Sequence, residues 1–333
     1  MSSLQYPHPD TPAPGAAIEV APGVRWISMP LPFQLDHINL WLIGDTVIDT
    51  GIGDQATRAL WEKILPEKRI RRVILTHYHP DHAGNAAWLC KKFGAELWTT
   101  QGEYLTAHAV RSSGAGYTTE AVLAVFRRNG LDAGRSAGMA GRGNRYAQLV
   151  PEFPFSYRRI IEGDRVKIGA HQWRAIIGYG HAPEHLSLYC EALNVVVAGD
   201  MLLSTISTNV SVWSIDPEGD PLRLFLESLA RYRELPQDVL VLPSHGKPFR
   251  GAHARVAQLE GHHQAHFKKL LEVLKNDARS AGDLLGVLFR RPLDAHQTFF
   301  AMGEAIAHLH YLYYAGRVER ASGADGIMRY AAR

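Results

Sequence analysis

The sequence lacks three features that would narrow its function at once. Cysteine is scarce: Cys90 and Cys190 are the only two in 333 residues, and their spacing predicts no disulfide framework and no oxidising compartment. The 36 Lys and Arg residues are nearly balanced by 33 Asp and Glu residues, so the net charge of +3 gives little reason to expect a nucleic-acid partner. No apolar run approaches the roughly 18 residues that a membrane span requires.

The amino-terminal segment also lacks the apolar stretch of a signal peptide. Residues 1–17 carry proline at positions 7, 9, 12 and 14, and we interpret this range as a disordered, Pro-rich leader. We therefore expect a cytoplasmic protein that does not associate with membranes.

The rest of the chain predicts two domains. Short apolar strands and helices alternate over residues 18–250, which we interpret as an α/β (α+β) catalytic domain. Within it, residues 101–165 form a helical, Gly- and Arg-rich insertion that we place near the pocket. Residues 251–333 contain three predicted helices and a terminal hairpin, which is typical of a helical, winged-helix-like domain.

Histidine is abundant, with 17 residues, and several of them are clustered. His77, His79, Asp81 and His82 lie within six residues, directly after a predicted buried strand at 73–76. Neutral imidazole and carboxylate groups are the ligands that zinc prefers, and iron and manganese also accept them. This segment therefore predicts a metal site.

Three more candidate ligands follow predicted strands farther along the chain. His181, Asp200 and His245 each come directly after a short apolar run. Side chains that follow several strands can meet at one rim of a sheet, where the rigid strands hold them in place. We therefore expect these three residues to complete the site that begins at His77.

Five motifs, taken together and in this order, resemble those of the metallo-β-lactamase superfamily and of its glyoxalase II-like hydrolase branch. They are IDTG at 48–51, THYHPDHAG at 76–84, GHAPEH at 180–185, GD at 199–200 and PSHG at 243–246. The resemblance implies a four-layer αββα sandwich with a dinuclear metal site between the edges of its two sheets. It further implies two ligand sets joined by a bridging carboxylate: His77, His79 and His181 on one metal, Asp81, His82 and His245 on the other, and Asp200 between them.

The same resemblance implies a hydrolase that uses a metal-bridging hydroxide. We expect two divalent ions, zinc first and iron or manganese as alternatives, with Asp81 and Asp200 as the catalytic residues. Asp81 would orient the hydroxide and relay a proton. Asp200 stands where true β-lactamases carry Cys or His, which disfavours antibiotic hydrolysis. The expected substrate is a small-molecule thioester, then a lactone or carboxylic ester.

Two other functions use similar motifs. Metallo-β-lactamase-fold nucleases that cleave RNA also carry an additional domain, but residues 297–316 contain no Lys or Arg with which a helix would bind nucleic acid. Persulfide dioxygenases of the same fold use a single iron, and the motifs alone do not separate them from the hydrolases.

Four residues outside the ligand set are candidates for the substrate pocket or for ligand support. Phe33 either borders the site or caps the core, and Asp49 is expected to fix a histidine or its loop. His185 is expected to support the ligands or line the pocket, and Asn209 to contact the substrate. The insertion holds nine basic against six acidic residues, which fits either an anionic carrier, such as coenzyme A or glutathione, or a solvated face.

A second group of histidines lies on the long predicted helix at 254–274. Helical spacing places His262 and His266 on one face, beside His263. A second metal site would need more ligands, so we predict surface or domain-interface histidines. The apolar side chains of the helix predicted at 297–315 indicate packing either against the catalytic domain or against a partner subunit, and the second case would make the protein a homodimer.

Overall fold

The computed structural model describes residues 4–33, 35–65, 69–114, 116–141, 143–289 and 292–333. Arg142, one of the nine basic residues counted in the insertion, lies outside this described part. The chain forms two compact units: unit 1 is Met1–Ser112, Tyr146–Thr208 and Ser228–Val256, and unit 2 is Ser113–Arg145, Asn209–Glu227 and Ala257–Arg333.

The boundaries of these units differ from the domain boundary that we predicted between residues 250 and 251. Residues 113–145 and 209–227 fall within the predicted catalytic range but belong to unit 2. The reason is hydrogen bonding with the C-terminal segment: Gly282 N donates to Asn129 O at 2.9 Å, and Val212 N donates to Gly303 O at 3.2 Å.

Unit 1 contains a seven-stranded and a five-stranded sheet. The first sheet has its strands side by side in chain order, antiparallel from β1 to β4 and parallel from β4 to β7. Its strands are β1 Ala17–Ala21, β2 Val24–Pro30, β3 His37–Ile43, β4 Thr46–Ile48, β5 Arg72–Ile74, β6 Glu96–Thr99 and β7 Arg158–Arg159.

The second sheet has the order β12-β11-β10-β9-β8 and is antiparallel except for the pair β11 and β12. Its strands are β8 Arg165–Ile168, β9 His171–Gly178, β10 His185–Cys190, β11 Val195–Gly199 and β12 Leu240–Pro243.

The two sheets share one apolar core. Trp26 and Trp41 of the first sheet and Trp173, Leu188 and Val197 of the second belong to the same buried cluster. Because side chains alternate along a strand, the neighbours of Trp26 and Trp41 point the other way. They enter a second cluster with the first-sheet helices, so the first sheet is covered on both faces.

The helices lie between and after the strands. They are α1 Gln55–Ile64, α2 Pro80–Ala83, α3 Ala86–Phe93, α4 Gln101–Arg111, α5 Thr119–Arg128, α6 Ala133–Ala140, α7 Arg145–Leu149, α8 Pro221–Ala230, α9 Ala252–Leu274, α10 Leu285–Leu288 and α11 Ala295–Tyr314, with a 3-10 helix at Arg231–Glu234. The insertion predicted at 101–165 thus contains α4 to α7. Among the described residues, no helix combines the length and the apolar character needed to cross a membrane.

The C-terminal region is helical, as predicted. Asp294 caps α11 by accepting a hydrogen bond from Gln297 N at 2.8 Å, while the Gln297 side chain accepts one from Asp294 N. The antiparallel strands β13 Val318–Ser322 and β14 Met328–Ala332 follow. The likeness to a winged helix stays a prediction.

The Pro-rich leader differs from the disordered segment that its composition predicts. Gln5 and Arg250 exchange two backbone hydrogen bonds of 3.2 and 2.8 Å. The His8 ring hydrogen-bonds Val20 O at 3.1 Å. Proline prevents regular structure here, but backbone and side-chain groups between the prolines still find partners in unit 1.

Candidate metal centre

All seven residues predicted as metal ligands lie together in unit 1. Their ligand atoms form two groups, within each of which the atoms lie no more than 4.8 Å apart: His77, His79, His181 and Asp200 in the first, and Asp81, His82 and His245 in the second.

The strand order explains why distant residues meet. β11 and β12 are parallel neighbours with Val197 opposite Leu242, so Asp200 and His245 leave the same end of the second sheet. His181 lies in the loop between β9 and β10, and the segment that begins at His77 follows β5 of the first sheet. The site therefore combines loops from both sheets.

In the first group, three imidazoles surround one point. His77 Nε2 lies 2.9 Å from His79 Nδ1 and 3.2 Å from His181 Nε2. Asp200 Oδ2 lies 3.5 Å from His181 Nε2 and 4.0 Å from His77 Nε2. Two nitrogens that both carry a lone pair cannot hydrogen-bond each other. Nitrogens that converge in this way can instead bind a cation.

The second group shares Asp200 with the first. Asp81 Oδ2 lies 3.3 Å from His245 Nε2 and 3.6 Å from His82 Nε2. Asp200 Oδ1 lies 3.6 Å from His82 Nε2 and 3.7 Å from His245 Nε2. The two oxygens of Asp200 therefore face one group each.

Hydrogen bonds on the far side of the rings determine which nitrogens carry lone pairs. The Thr76 hydroxyl donates to Asp49 Oδ2 at 2.8 Å, so its oxygen accepts from His77 Nδ1 at 3.0 Å. His82 Nδ1 donates to Asp49 Oδ2 at 2.8 Å, and His245 Nδ1 to His37 O at 2.9 Å. Each neutral ring then directs an unprotonated Nε2 into the centre, the arrangement found in metal-ligating histidines.

Orphaned polar atoms show that the residues fit a cation. His82 Nε2 and Asp200 Oδ1 are buried and have no hydrogen-bond partner among the residues that the structure describes. Leaving such atoms unpaired costs about 1–3 kcal/mol each. A divalent ion at the second group, which both atoms face, would satisfy both of them.

Burial and mutual repulsion keep the His77 and His79 rings neutral. Burial, reinforced by the adjacent imidazoles, lowers the pKa of His77 well below its usual value and that of His79 to about 3. Both rings are therefore unprotonated at neutral pH, which metal binding requires.

In the second group, the carboxylates favour the protonated form of the histidines. Although burial opposes the shift, Asp49, Asp81 and Asp200 raise the pKa of His82 to about 10, and Asp200 and Asp81 also raise that of His245. The same attraction, again against burial, lowers the pKa of Asp81 to about 2 and that of Asp200 well below its usual value. The same negative potential would attract a divalent cation, whose binding would require His82 and His245 to give up their Nε2 protons.

Two supporting residues were not predicted. Glu103 of α4 accepts from Tyr78 N through Oε2 at 2.8 Å and from Glu184 N through Oε1 at 2.7 Å. It thereby joins the ligand segment 77–82 to the ligand segment around His181. Burial raises the pKa of Glu103 to about 8.

The second supporting residue is Asn39, on β3. Its Nδ2 donates to Pro243 O at 2.9 Å and to Gly246 O at 2.7 Å, while its Oδ1 accepts from Trp26 Nε1 at 2.8 Å. Asn39 therefore holds the loop that carries His245. No local pattern in the sequence points to either Asn39 or Glu103, because their partners are mainly backbone groups of distant segments.

Three of the four other candidate residues lie in unit 1. Asp49, at φ +58°, hydrogen-bonds both Thr76 and His82, and so orients two elements of the centre. His185 Nε2 accepts from Asp200 N at 3.1 Å but belongs to neither ligand group. Phe33 is half-buried and packs against the core cluster on the helical face of the first sheet.

The fourth, Asn209, belongs to unit 2. Its Nδ2 donates to Glu304 Oε2 at 3.3 Å, and its Oδ1 accepts from Ser211 Oγ at 2.7 Å. These contacts give Asn209 a role inside unit 2, and its contact with a substrate stays a prediction.

Gly199 precedes the shared aspartate and must be glycine. Its φ is +54°, a conformation that L side chains rarely adopt, and an added Cβ would lie 2.4 Å from His185 Nε2. The absence of a side chain lets His185 reach Asp200 N.

Comparison with known proteins agrees with this geometry. The model of the metallo-beta-lactamase superfamily matches residues 34–245, and a model described as the metallo-beta-lactamase-like C-terminal domain matches residues 267–333. The chain therefore belongs to the metallo-beta-lactamase superfamily, with the fold of that family.

Similar proteins of known structure extend over nearly the whole chain. A beta-lactamase domain protein from Burkholderia ambifaria is 46% identical, with a TM-score of 0.92 over 99% of this chain and 98% of that one. A metallo-beta-lactamase family protein from Thermus thermophilus is 28% identical, with a TM-score of 0.80 over 95% of this chain and 100% of that one.

Curated relatives are more distant. A protein named probable metallo-hydrolase YqjP, from Bacillus subtilis, is 26% identical and covers 86% of this chain and 91% of its own length. An atrochrysone carboxyl ACP thioesterase from Aspergillus fumigatus is 23% identical and covers 82% of this chain and 75% of its own length. Together with the ligand groups, family membership makes this chain a metallo-hydrolase.

Proposed function

We propose that this chain is a dinuclear, zinc-dependent hydrolase that cleaves a small-molecule thioester, with lactones and carboxylic esters as the next substrate classes. The observation that carries the proposal is the position of Asp200, whose two oxygens face different ligand groups. Five imidazoles and two carboxylates are a donor set suited to zinc, with iron or manganese as alternatives. The fungal relative named as an ACP thioesterase supports the substrate class.

Two divalent ions at these groups would supply Lewis acidity, polarising the substrate carbonyl and lowering the pKa of a water molecule. Asp81 is ionised at neutral pH because its pKa is about 2. Its Oδ2 can therefore accept a hydrogen bond from the attacking water and orient it. Asp200 keeps the two groups at a fixed separation.

The reaction balances without a covalent intermediate on the protein. The water oxygen forms the new C–O bond, the C–S bond breaks, and the proton released by water passes to the leaving thiolate. Asp81 Oδ2 is the acceptor that can carry this proton, because it lies in the second group beside His245. The products are a carboxylic acid and a thiol.

The charge of the insertion gives weaker support to an anionic carrier. Arg127 pairs with Glu120 at 2.9 Å, Arg128 with Glu218 at 3.4 Å and Arg135 with Asp132 at 3.4 Å. These ion pairs neutralise part of the positive charge of the insertion. They therefore favour a solvated face over a surface that binds an anionic carrier. Coenzyme A and glutathione carriers therefore belong in the substrate panel as alternatives.

The test is hydrolysis by the full chain after removal of metal with a chelator and after addition of Zn²⁺. The probes are an acyl-coenzyme A, an acyl-glutathione, a lactone and bis(p-nitrophenyl) phosphate. We expect negligible hydrolysis without metal and the highest kcat/KM for a thioester with Zn²⁺. Fastest cleavage of the phosphodiester would instead support a nuclease. Oxygen uptake with glutathione persulfide by a form holding one iron would support a dioxygenase.

A further inference from the structure

A second set of histidines converges inside unit 2. We call it the helix cluster: His262, His263 and His266 on α9, and Glu304 and His308 on α11. The rings of His262 and His266 are 4.2 Å apart, and those of His263 and His308 are 5.2 Å apart. The two helices therefore bring together residues that are about forty positions apart in the chain.

Glu304 supplies the ligand that the sequence pattern lacks. One ring nitrogen each of His262 and His266 and one carboxylate oxygen of Glu304 lie within 4.8 Å of one another. Tetrahedral zinc with Zn–N distances of about 2.0–2.1 Å needs ligand atoms about 3.4 Å apart. The limit of 4.8 Å is longer than this ligand separation. Because both histidines project from the same face of α9, small rotations of the side chains bring the ligand atoms closer together.

The surrounding hydrogen bonds position the cluster. Asn209 Nδ2 donates to Glu304 Oε2 at 3.3 Å and restrains the carboxylate. His308 Nδ1 donates to Glu304 O at 2.8 Å, so His308 Nε2 accepts from His263 Nδ1 at 3.1 Å. Such contacts to residues around a metal fix ligand orientation.

An unpaired nitrogen on His266 indicates a missing partner. His266 Nδ1 is buried and has no hydrogen-bond partner in the part of the chain that the structure describes. The His266 residue is 7% exposed. Buried polar atoms of this kind call for a water or an ion.

We propose that His262, His266 and Glu304 bind one Zn²⁺ ion within unit 2, in addition to the ions of the centre in unit 1. Imidazole ligands favour zinc and its borderline neighbours over magnesium and calcium. With three protein ligands, one position remains for water or an exogenous group. The ion would connect α9 to α11 and stabilise unit 2, since it binds the folded arrangement and not the separated helices.

The test is a count of bound zinc in the full chain. Metal-free protein is dialysed to equilibrium against a series of free Zn²⁺ concentrations, and bound zinc per chain is measured by mass spectrometry. The double variant His262→Asn/Glu304→Gln should bind one ion fewer at saturation than the wild type. His296→Gln, at an exposed position on α11, is the matched control and should bind as many as the wild type. Equal counts for the wild type and the double variant at every concentration would refute the site.

A second measurement remains decisive if the double variant folds poorly. Zinc anomalous diffraction from crystals of the wild-type chain should show a peak bonded to His262, His266 and Glu304. With zinc present at the unit 1 centre, no peak at the helix cluster would overturn the proposal. The outcome is independent of the proposed hydrolysis, because neither the zinc count nor the anomalous peak depends on substrate turnover.

Discussion

The second ligand group of unit 1 and the helix cluster of unit 2 show opposite protonation tendencies. In unit 1, three carboxylates raise the pKa of His82 to about 10 despite its burial. In unit 2, burial and neighbouring imidazoles lower the pKa of His263 to about 2, and burial lowers that of His308 to about 3. The difference teaches that a buried histidine is protonated where carboxylates lie beside it: three carboxylates outweigh burial at His82, whereas burial dominates at His263 and His308.

The strongest test of the comparison removes the carboxylate shared by the two groups of unit 1. Asp200→Ala should lower kcat/KM by more than about 100-fold, since even loss of a group behind the ligands costs about 10–100-fold. Zinc should be lost from the unit 1 centre, while the helix cluster keeps its ion. A variant that stays active and fully metallated would exclude Asp200 from the site.

A smaller loss of activity is expected when the carboxylate of Asp49, which hydrogen-bonds a ligand histidine, is neutralised. Asp49→Asn leaves the ligand set intact but weakens the acceptor for His82 Nδ1 and Thr76 Oγ1. We expect zinc affinity or kcat to fall by about 10–100-fold. In the metal-free chain, the pKa of His82 measured by NMR should move down, toward the behaviour of the unit 2 histidines. An unchanged pKa would show that Asp49 does not set the charge of His82.

The next prediction concerns Glu103, which joins two ligand segments. Glu103→Gln turns an amide NH₂ toward one of two buried N–H donors, at a cost of about 1–3 kcal/mol in the free energy of unfolding. Because Glu103 acts through the ligand loops, kcat should fall while KM changes little. The matched control is Glu96→Gln, an exposed carboxylate on β6. Equal losses in both variants would show that the effect does not depend on the two hydrogen bonds of Glu103.

The effect that is smallest at neutral pH is an acid sensitivity of unit 2. His263 and His308 have folded pKa values below the unfolded value of 6.5. The unfolded chain therefore binds more protons below pH 6.5, and stability falls as the solution is acidified. Each ring contributes up to about 1.4 kcal/mol per pH unit.

The double variant His263→Leu/His308→Leu checks this dependence. It removes both partners of one buried hydrogen bond, so stability at neutral pH should change little. Chemical denaturation of the metal-free chain between pH 7 and pH 4 should show a flatter pH dependence than in the wild type. An unchanged slope would assign the acid sensitivity to other groups.

The sequence points to the candidate ligands of unit 1 because their positions follow from local patterns. His77 to His82 form one short motif after a strand, and His181, Asp200 and His245 follow strands of one sheet. The ends of such strands lie at one edge of the sheet, whatever the sequence of the segments that connect them. The mixed fold and its helical C-terminal region follow from similar periodic patterns.

The remaining features depend on contacts between distant segments. Glu103 is one acidic residue on a helix, and its role depends on the backbone amides of Tyr78 and Glu184. Glu304 joins the helix cluster only because α11 lies beside α9. The boundaries of unit 2 could not be read from composition, since three separated segments build it.

The discontinuous build of unit 2 also governs the order in which the chain can mature during synthesis. Translation delivers the N-terminal segments first, and both sheets of unit 1 are complete once Pro243 has been added. Phe126 must wait longer, because the ring that it packs against belongs to Phe299. Until α11 has left the ribosome, the Phe126 ring lacks this partner. Apolar side chains that wait in this way for a late segment favour aggregation of the nascent chain.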